Sequence, residues 1–182
     1  MSDEARSKNA LVTGGTDGIG KEVARGLARA GHRVAIVGRD AQKGVRVAEE
    51  IRQTTSNPNV EFLPADLSLV REANRLADGV TSRWTDISYF AHSAGVVCNR
   101  RELTDEGVES NFAINYLSRF VLTQRLLPLM KAVGHPGDAA RILIISGAAT
   151  NGTIYFDDVN LKSKLVTFSL LMVLYHAPQS DF

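Results

Sequence analysis

The sequence of 182 residues has a single cysteine and almost no net charge, and each of these features excludes a class of protein. The single cysteine, Cys98, excludes an internal disulfide and is typical of a protein from a reducing compartment. No cluster of cysteine and histidine surrounds Cys98, so the sequence does not predict a metal site. The formal net charge of +1 gives no reason to expect a nucleic acid or an anionic membrane surface as a partner.

Long apolar runs are scarce too. Residues 1–8 are polar and of mixed charge, unlike a secretory signal, and the most apolar stretch, 165–175, is shorter than the roughly 20 residues that span a bilayer. We therefore expect a cytoplasmic protein without a transmembrane segment. The length predicts one domain, 1–182, with its core in 9–160 and an atypical apolar C-terminal segment in 161–182.

The strongest positive signal is a glycine-rich turn between a strand pattern and a helix pattern. The apolar run 10–12 ends at Thr13, the turn follows, and apolar residues then recur at helical spacing over 19–30. Glycines let the backbone turn sharply and approach a diphosphate, while the helix N-terminus offers unpaired N–H groups and partial positive charge. A strand, glycine turn and helix in this order predict a dinucleotide site.

Four further apolar runs alternate with helical patterns along the chain. The runs are 34–37, 60–63, 87–91 and 141–145, and the run 34–37 is continuous, as in a strand buried on both faces. This alternation predicts an α/β fold, a doubly wound parallel sheet of about five strands in three layers, of the Rossmann type.

Three local predictions follow from the helical segments. Val45, Ala48 and Ile51 are predicted to form the core-facing side of the second helix. Ser68 is predicted to cap the third helix. The long helix that holds Asn115 is predicted to end near Pro128 or shortly after it.

Four motifs in order resemble the short-chain dehydrogenase/reductase family. Residues 13–20 match the Thr-Gly-x-x-x-Gly-x-Gly turn, and the Asp66-Leu67 pair matches the family's Asp-Leu beside the adenine ring. Residues 93–95, Ser-Ala-Gly, stand where the family has Asn-Ala-Gly, and Asn115 matches its helix asparagine. Short local segments, such as Gly-Arg-Asp at residues 38–40, are similar to those of the retinol dehydrogenase-like branch.

The resemblance implies a set of cofactor-binding residues. They are Gly14, Thr16, Asp17, Gly18, Ile19, Gly20, Arg39, Asp66, Leu67, Ser93, Ala94, Gly95 and Asn115. An acidic residue after the second strand would favour NAD, but the chain has Arg39, whose guanidinium suits a 2′-phosphate, so we predict NADP(H) over NAD(H). The alternatives are that Arg39 is a surface residue beside Asp40, that Asp66 caps a helix, and that Asn115 is solvated.

The family's acid/base pattern is missing from the sequence. Family chemistry uses a tyrosine and a lysine four residues later, because a phenol of pKa ~10 needs a nearby cation to act as a base at pH 7. No Tyr-x-x-x-Lys occurs here. If Lys164, in a Ser-Lys-Leu that resembles the branch, is the family lysine, Asn160 occupies the tyrosine position, and an amide cannot serve as an acid or base.

The resemblance therefore implies three catalytic residues, Asn115, Ser146 and Lys164. Ser146 stands one place before the family's usual serine, which aligns with Gly147. The alternative for Ser146 is a hydroxyl that only closes a strand end. The alternative for Lys164 is a surface lysine without a catalytic role.

The expected function is an oxidoreductase that transfers hydride between NADP(H) and a small-molecule carbonyl or alcohol. The alternative is a catalytically inactive NADP(H)-binding or truncated member that acts as a binding or regulatory module. Full members of the family continue into further strands, so the chain resembles a truncated or divergent member. Its stretch 165–175, apolar on every side, suggests either a homodimer interface or a foreign tail on a truncated or alternatively spliced product.

Overall fold

The computed structural model describes residues 7–98, 100–133, 139–146 and 155–163. Its five strands form one sheet in the order β3-β2-β1-β4-β5, with every neighbouring pair parallel. They are β1 (Asn9–Thr13), β2 (Arg33–Gly38), β3 (Val60–Pro64), β4 (Tyr89–His92) and β5 (Arg141–Ile144). The sheet confirms the predicted doubly wound α/β architecture, because the strand order reverses direction at β1.

The helices lie between the strands, as the alternation predicts. They are α1 (Gly18–Arg29), α2 (Ala41–Thr55), α3 (Val70–Thr81), α4 (Ser110–Phe112) and α5 (Ser118–Lys131). A π-helical turn, Ala113–Leu117, joins α4 to α5, so 110–131 is one continuous helical stretch. Pro128 lies inside its last turn, three residues before its end.

Two helical clusters cover opposite faces of the sheet. Because side chains alternate along a strand, Leu11 of β1 packs with α3 and α5, whereas Val12 packs with α1 and α2. Each face therefore has its own buried cluster, which confirms the three layers. The described residues contain no helix long and apolar enough to cross a bilayer.

The predicted core face of α2 is wrong at one position. Val45 is 58% exposed, and Gly44 and Val47 are buried in addition to Ala48 and Ile51. The reason is the Phe62 ring, which lies so close to Gly44 that a Cβ there would come within 2.1 Å of it. The helix therefore contacts the sheet at Gly44. A pattern of apolar side chains does not identify a glycine as a core-facing position.

The predicted Ser68 cap is also wrong. Leu69 occupies the cap position of α3 and its side chain makes no capping hydrogen bond. The carboxylate of Glu106, 36 residues further along the chain, accepts instead from the Val70 amide at 2.6 Å and the Arg71 amide at 3.1 Å. A cap supplied by a distant residue satisfies the same free amides, but no local sequence pattern predicts it.

Candidate dinucleotide cleft

A cleft of about 540 Å³ opens at the carboxyl ends of the parallel strands. Its position, where β1 lies between β2 and β4, is the switch point at which open α/β sheets bind ligands. It is lined by Gly14, Thr16, Asp17, Gly18, Ile19, Val37, Gly38, Arg39, Ala65, Asp66, Leu67, Ser68, Ser93, Ala94, Gly95, Val96, Ile114 and Ile145. The cleft thus brings together eleven of the thirteen predicted cofactor residues, all except Gly20 and Asn115.

The glycine turn is shaped by close approach of the backbone. Gly14 has φ +65°, and a Cβ there would lie 2.6 Å from the Ala94 nitrogen. A Cβ at Gly20 would lie 2.3 Å from the Gly14 carbonyl oxygen, which explains why Gly20 supports the turn without lining the cleft. These two glycines therefore let β1, α1 and the end of β4 meet at one point.

The N-terminus of α1 faces the cleft. Asp17 caps the helix by accepting from the Gly18 amide at 2.8 Å, and the following amides of the first turn have no partner within the helix. Ile19 is 64% exposed although it belongs to the apolar pattern of the helix. An exposed apolar side chain beside free amides is a surface suited to a ligand that is partly anionic and partly apolar.

Thr13 ties the turn to the end of β4. Its hydroxyl lies within hydrogen-bond distance of the Ser93 and Ala94 amides, at 3.2 and 3.3 Å, and it is buried. These bonds join the carboxyl ends of β1 and β4. The motif at 13–20 predicts a turn at Thr13 but not this link to β4.

Arg39 lines the β2 end of the cleft, and Lys43 lies beside it through its ion pair with the lining residue Asp17. Arg39 is exposed there, whereas Asp40 caps α2 by accepting from the Lys43 amide at 2.9 Å, so Asp40 does not serve as an ion-pair partner for Arg39. The Lys43 ammonium instead binds the Asp17 carboxylate, and that hydrogen bond is the main cause of the lowered pKa of Asp17. Lys43 was not predicted as a site residue. The sequence feature that could have identified it is its position four residues after Arg39.

Asp66 and Leu67 form the opposite wall near the same end. The Asp66 carboxylate accepts from the Ser68 amide at 3.0 Å, inside the turn that precedes α3. Because Glu106 supplies the α3 cap, the proposal that Asp66 only caps this helix does not hold.

Asn115 acts as a two-way clamp on the backbone behind the cleft. Its oxygen accepts from the Val96 amide at 2.9 Å and its nitrogen donates to the Val96 carbonyl at 2.8 Å. One turn earlier, Asn111 holds Cys98 in the same manner, at 2.8 and 3.2 Å. The amide of Asn115 is therefore engaged in the fold rather than solvated, and Asn115 lies inside the π-helical turn that follows Asn111.

The residues predicted from the acid/base pattern lie only in part among the residues that the structure describes. Ser146 is exposed, immediately after Ile145 at the end of β5, and Lys164 lies outside the described residues, as do Gly147 and the stretch 165–175. Asn160 has a structural role: its side-chain oxygen accepts from the Glu109 amide at 2.9 Å.

Arg119 was missed by the sequence analysis and lies between the ends of β4 and β5. Its Nη2 donates to the Ala94 carbonyl at 2.8 Å and to the Ile145 carbonyl at 3.3 Å. Burial lowers its pKa. Next to it, fully buried His92 has a pKa lowered to about 3 by burial, so it is neutral, with Nε2 3.0 Å from the Thr123 hydroxyl.

Comparison with known proteins agrees with this geometry. A family model described as short chain dehydrogenase matches residues 8–157, and the chain belongs to this family. It is 36% identical to the human (Homo sapiens) protein "Polyprenol dehydrogenase", over 84% of this chain and 45% of that protein. It is 35% identical to human "Retinol dehydrogenase 12", over 86% of this chain and 49% of that protein.

Solved structures share the fold. The Pseudomonas aeruginosa RhlG/NADP active-site complex superposes with a TM-score of 0.68 at 30% identity, over 81% of this chain and 59% of that one. A putative short chain dehydrogenase from Escherichia coli CFT073, complexed with NADPH, gives 0.64 at 28% identity, over 76% and 58%. The chain spans about half the length of the curated relatives it matches.

Proposed function

We propose that this protein binds a nicotinamide dinucleotide and is an oxidoreductase that transfers hydride to or from a small carbonyl or alcohol. The observation that carries the proposal is the glycine turn at the switch point, where Gly14 and Gly20 bring the backbone close to the free amides of α1. Family membership and relatives crystallised with NADP or NADPH support it.

We propose NADP(H) as the preferred cofactor. Arg39 stands at the β2 end of the cleft, where an acidic residue would otherwise bind the ribose hydroxyls, and Lys43 follows four residues later, in the first turn of α2. The exposed Arg39 guanidinium is available to a 2′-phosphate, and Lys43, which binds the Asp17 carboxylate in this structure, adds a second positive charge nearby.

The chain's own residues would hold the two halves of the cofactor and orient the reaction. The α1 amides would bind the diphosphate, and the Asn115 clamp would keep Val96 in place against the nicotinamide side. The bound nicotinamide would supply or accept the hydride. Ser146, exposed at the end of β5, is the proposed contact for the substrate oxygen, and Lys164 stays a predicted catalytic residue.

The substrate class is also a proposal. The polyprenol and retinol dehydrogenase relatives favour a lipid-like alcohol or its carbonyl. A single domain, a homodimer and a cytoplasmic location stay predictions of the sequence.

Titration of the full chain with NADPH and NADH, followed by nucleotide fluorescence, tests the cofactor proposal. We expect NADPH to bind more tightly, and Arg39→Ala to weaken NADPH about tenfold or more while changing NADH little, because only NADPH has the 2′-phosphate. Arg29→Ala, which removes an exposed arginine at the far end of α1, is the matched control and should leave both affinities unchanged.

The outcomes separate the parts of the proposal. No binding of either nucleotide would overturn it, and equal affinity for both would overturn only the NADP(H) preference. A panel of carbonyl substrates then tests hydride transfer. Tight NADPH binding without any turnover would replace the oxidoreductase by the binding module that the missing Tyr-x-x-x-Lys suggests.

A further inference from the structure

Arg119 is a cation placed at the junction of β4 and β5 with only neutral partners among the described residues. Its two hydrogen bonds go to backbone carbonyls, those of Ala94 and Ile145, and its Nε is buried without a hydrogen-bond partner. Burial is the cause of its lowered pKa, and no carboxylate of the described residues offsets it. The positive charge is therefore partly desolvated and is not neutralised by an ion pair with the described residues.

This charge lies at one defined end of the cleft. Arg39 and Asp66 mark the end that takes the adenosine half, and the N-terminus of α1 marks the diphosphate position. The other end is bounded by Gly95 and Ile145, which leaves it for the nicotinamide. The Arg119 guanidinium lies under that end, since a Cβ on Gly95 would be 3.5 Å from its Nη2.

The neighbouring titratable group does not cancel the charge. His92, the closest buried base, is neutral because burial lowers its pKa to about 3. Its side chain engages Thr123 of α5 through Nε2. Among the described residues, His92 therefore leaves the Arg119 cation at the β4 and β5 ends uncompensated.

The two redox forms of a nicotinamide differ by one positive charge on the ring. We propose that Arg119 makes the cleft bind the reduced, uncharged nicotinamide more tightly than the oxidised, cationic one. The inference rests on the proposed cofactor binding and deepens it. Like charges in a site of reduced dielectric repel measurably over several ångströms, so an effect of roughly tenfold on the affinity ratio is expected.

A purely structural role for Arg119 makes a different prediction. If the side chain only joins the carbonyls of Ala94 and Ile145, its replacement weakens both redox forms to the same extent. If the charge acts on the nicotinamide, replacement changes the ratio of the two affinities. Because both dissociation constants come from the same preparation, a partly unfolded fraction cancels from the ratio.

The experiment measures dissociation constants of NADPH and NADP⁺ for the full chain and two variants. NADPH is followed by its fluorescence and NADP⁺ by calorimetry. Arg119→Gln keeps amide donors for the two carbonyls but removes the charge, and Arg119→Lys keeps the charge. We expect the native protein to favour NADPH, Arg119→Gln to reduce that preference by roughly tenfold, and Arg119→Lys to retain most of it.

Arg39→Ala is the matched control, because it removes a cation from the opposite end of the same cleft. It should weaken NADPH and NADP⁺ equally, since both carry the 2′-phosphate, and leave their ratio unchanged. Equal loss of both forms in Arg119→Gln would overturn the inference and leave the proposed function intact. Failure of the native protein to bind either nucleotide would overturn both.

Discussion

The centre of the sheet and its β5 edge differ in how completely their side chains are covered. In β1 and β2, Leu11, Val12 and Ile36 are fully buried, whereas in β5 Ile142, Leu143 and Ile144 are 41%, 50% and 40% exposed. The central strands have a neighbour on each side and helices on each face. Among the described residues β5 pairs only with β4.

The same contrast separates two parts of the cleft. The glycine turn and the adenosine end are built on the covered side, where backbone positions are held by tight packing. The proposed substrate side rests on the exposed strand and on residues 96–98 and 100–109. That segment is held by side chains rather than by a sheet: Asn115 and Asn111 clamp its beginning, and Glu106 fastens its end to the N-terminus of α3.

The largest effect is expected on the covered side, at Gly14. Gly14→Ala places a Cβ 2.6 Å from the Ala94 nitrogen at a residue of φ +65°, so we expect a loss of about 3 kcal/mol in the free energy of unfolding and of NADPH binding. Urea unfolding and NADPH titration measure the two losses.

Gly26→Ala is its matched control. Gly26 lies inside α1 with nothing within 4 Å of its added Cβ, so this change should be neutral or stabilising by about 0.5–1 kcal/mol. Equal unfolding free energies for the Gly14 and Gly26 variants would show that the turn tolerates a side chain and would remove the basis of the comparison.

An intermediate effect is expected from the paired clamps on the substrate side. Asn115→Ala and Asn111→Ala each leave backbone groups without partners, at a cost of about 2 kcal/mol in unfolding free energy. Only Asn115 holds Val96, which lines the cleft, so its loss should also weaken NADPH several-fold more than the loss of Asn111. The same weakening in both variants would mean that the whole segment, rather than Val96, supports the cofactor.

The smallest effect at neutral pH is expected from His92, beneath the junction of the two sides. Its folded pKa of about 3 lies below its ordinary value of about 6.5, so the unfolded chain takes up a proton first as the pH falls. Stability from this group is complete above pH 6.5 and is lost towards pH 3, by about 1.4 kcal/mol per pH unit in the middle of that window.

Urea unfolding of the native chain and of His92→Asn between pH 7 and 4.5 measures this slope. The variant should show a shallower pH dependence, because its side chain takes up no proton. His32→Asn is the comparison, since burial also lowers the pKa of His32, and the His92 contribution should remain in it. Identical slopes in the native chain and in His92→Asn would contradict the burial of a neutral His92.

Local patterns were sufficient for the parts of the site that lie within one short segment. The glycine turn, Arg39 after β2 and the Asp66-Leu67 pair are each adjacent to a strand end, and all of them line the cleft. Lys43, Glu106 and Arg119 were missed because each acts on a partner far from its own segment: Asp17 for Lys43, the α3 amides for Glu106, and the ends of two strands for Arg119.

The sequence by itself determined the order of strands and helices, since apolar periodicity and glycine placement follow from short-range sterics and burial. It also determined the family to which the glycine turn belongs. Only the tertiary structure decided that Glu106 caps α3, that Asn160 ties its segment to Glu109, and that an unneutralised arginine lies under one end of the cleft. The physical reason is that desolvation and hydrogen-bond partnership depend on which distant groups are brought within about 3 Å, and that distance is fixed by the packed sheet.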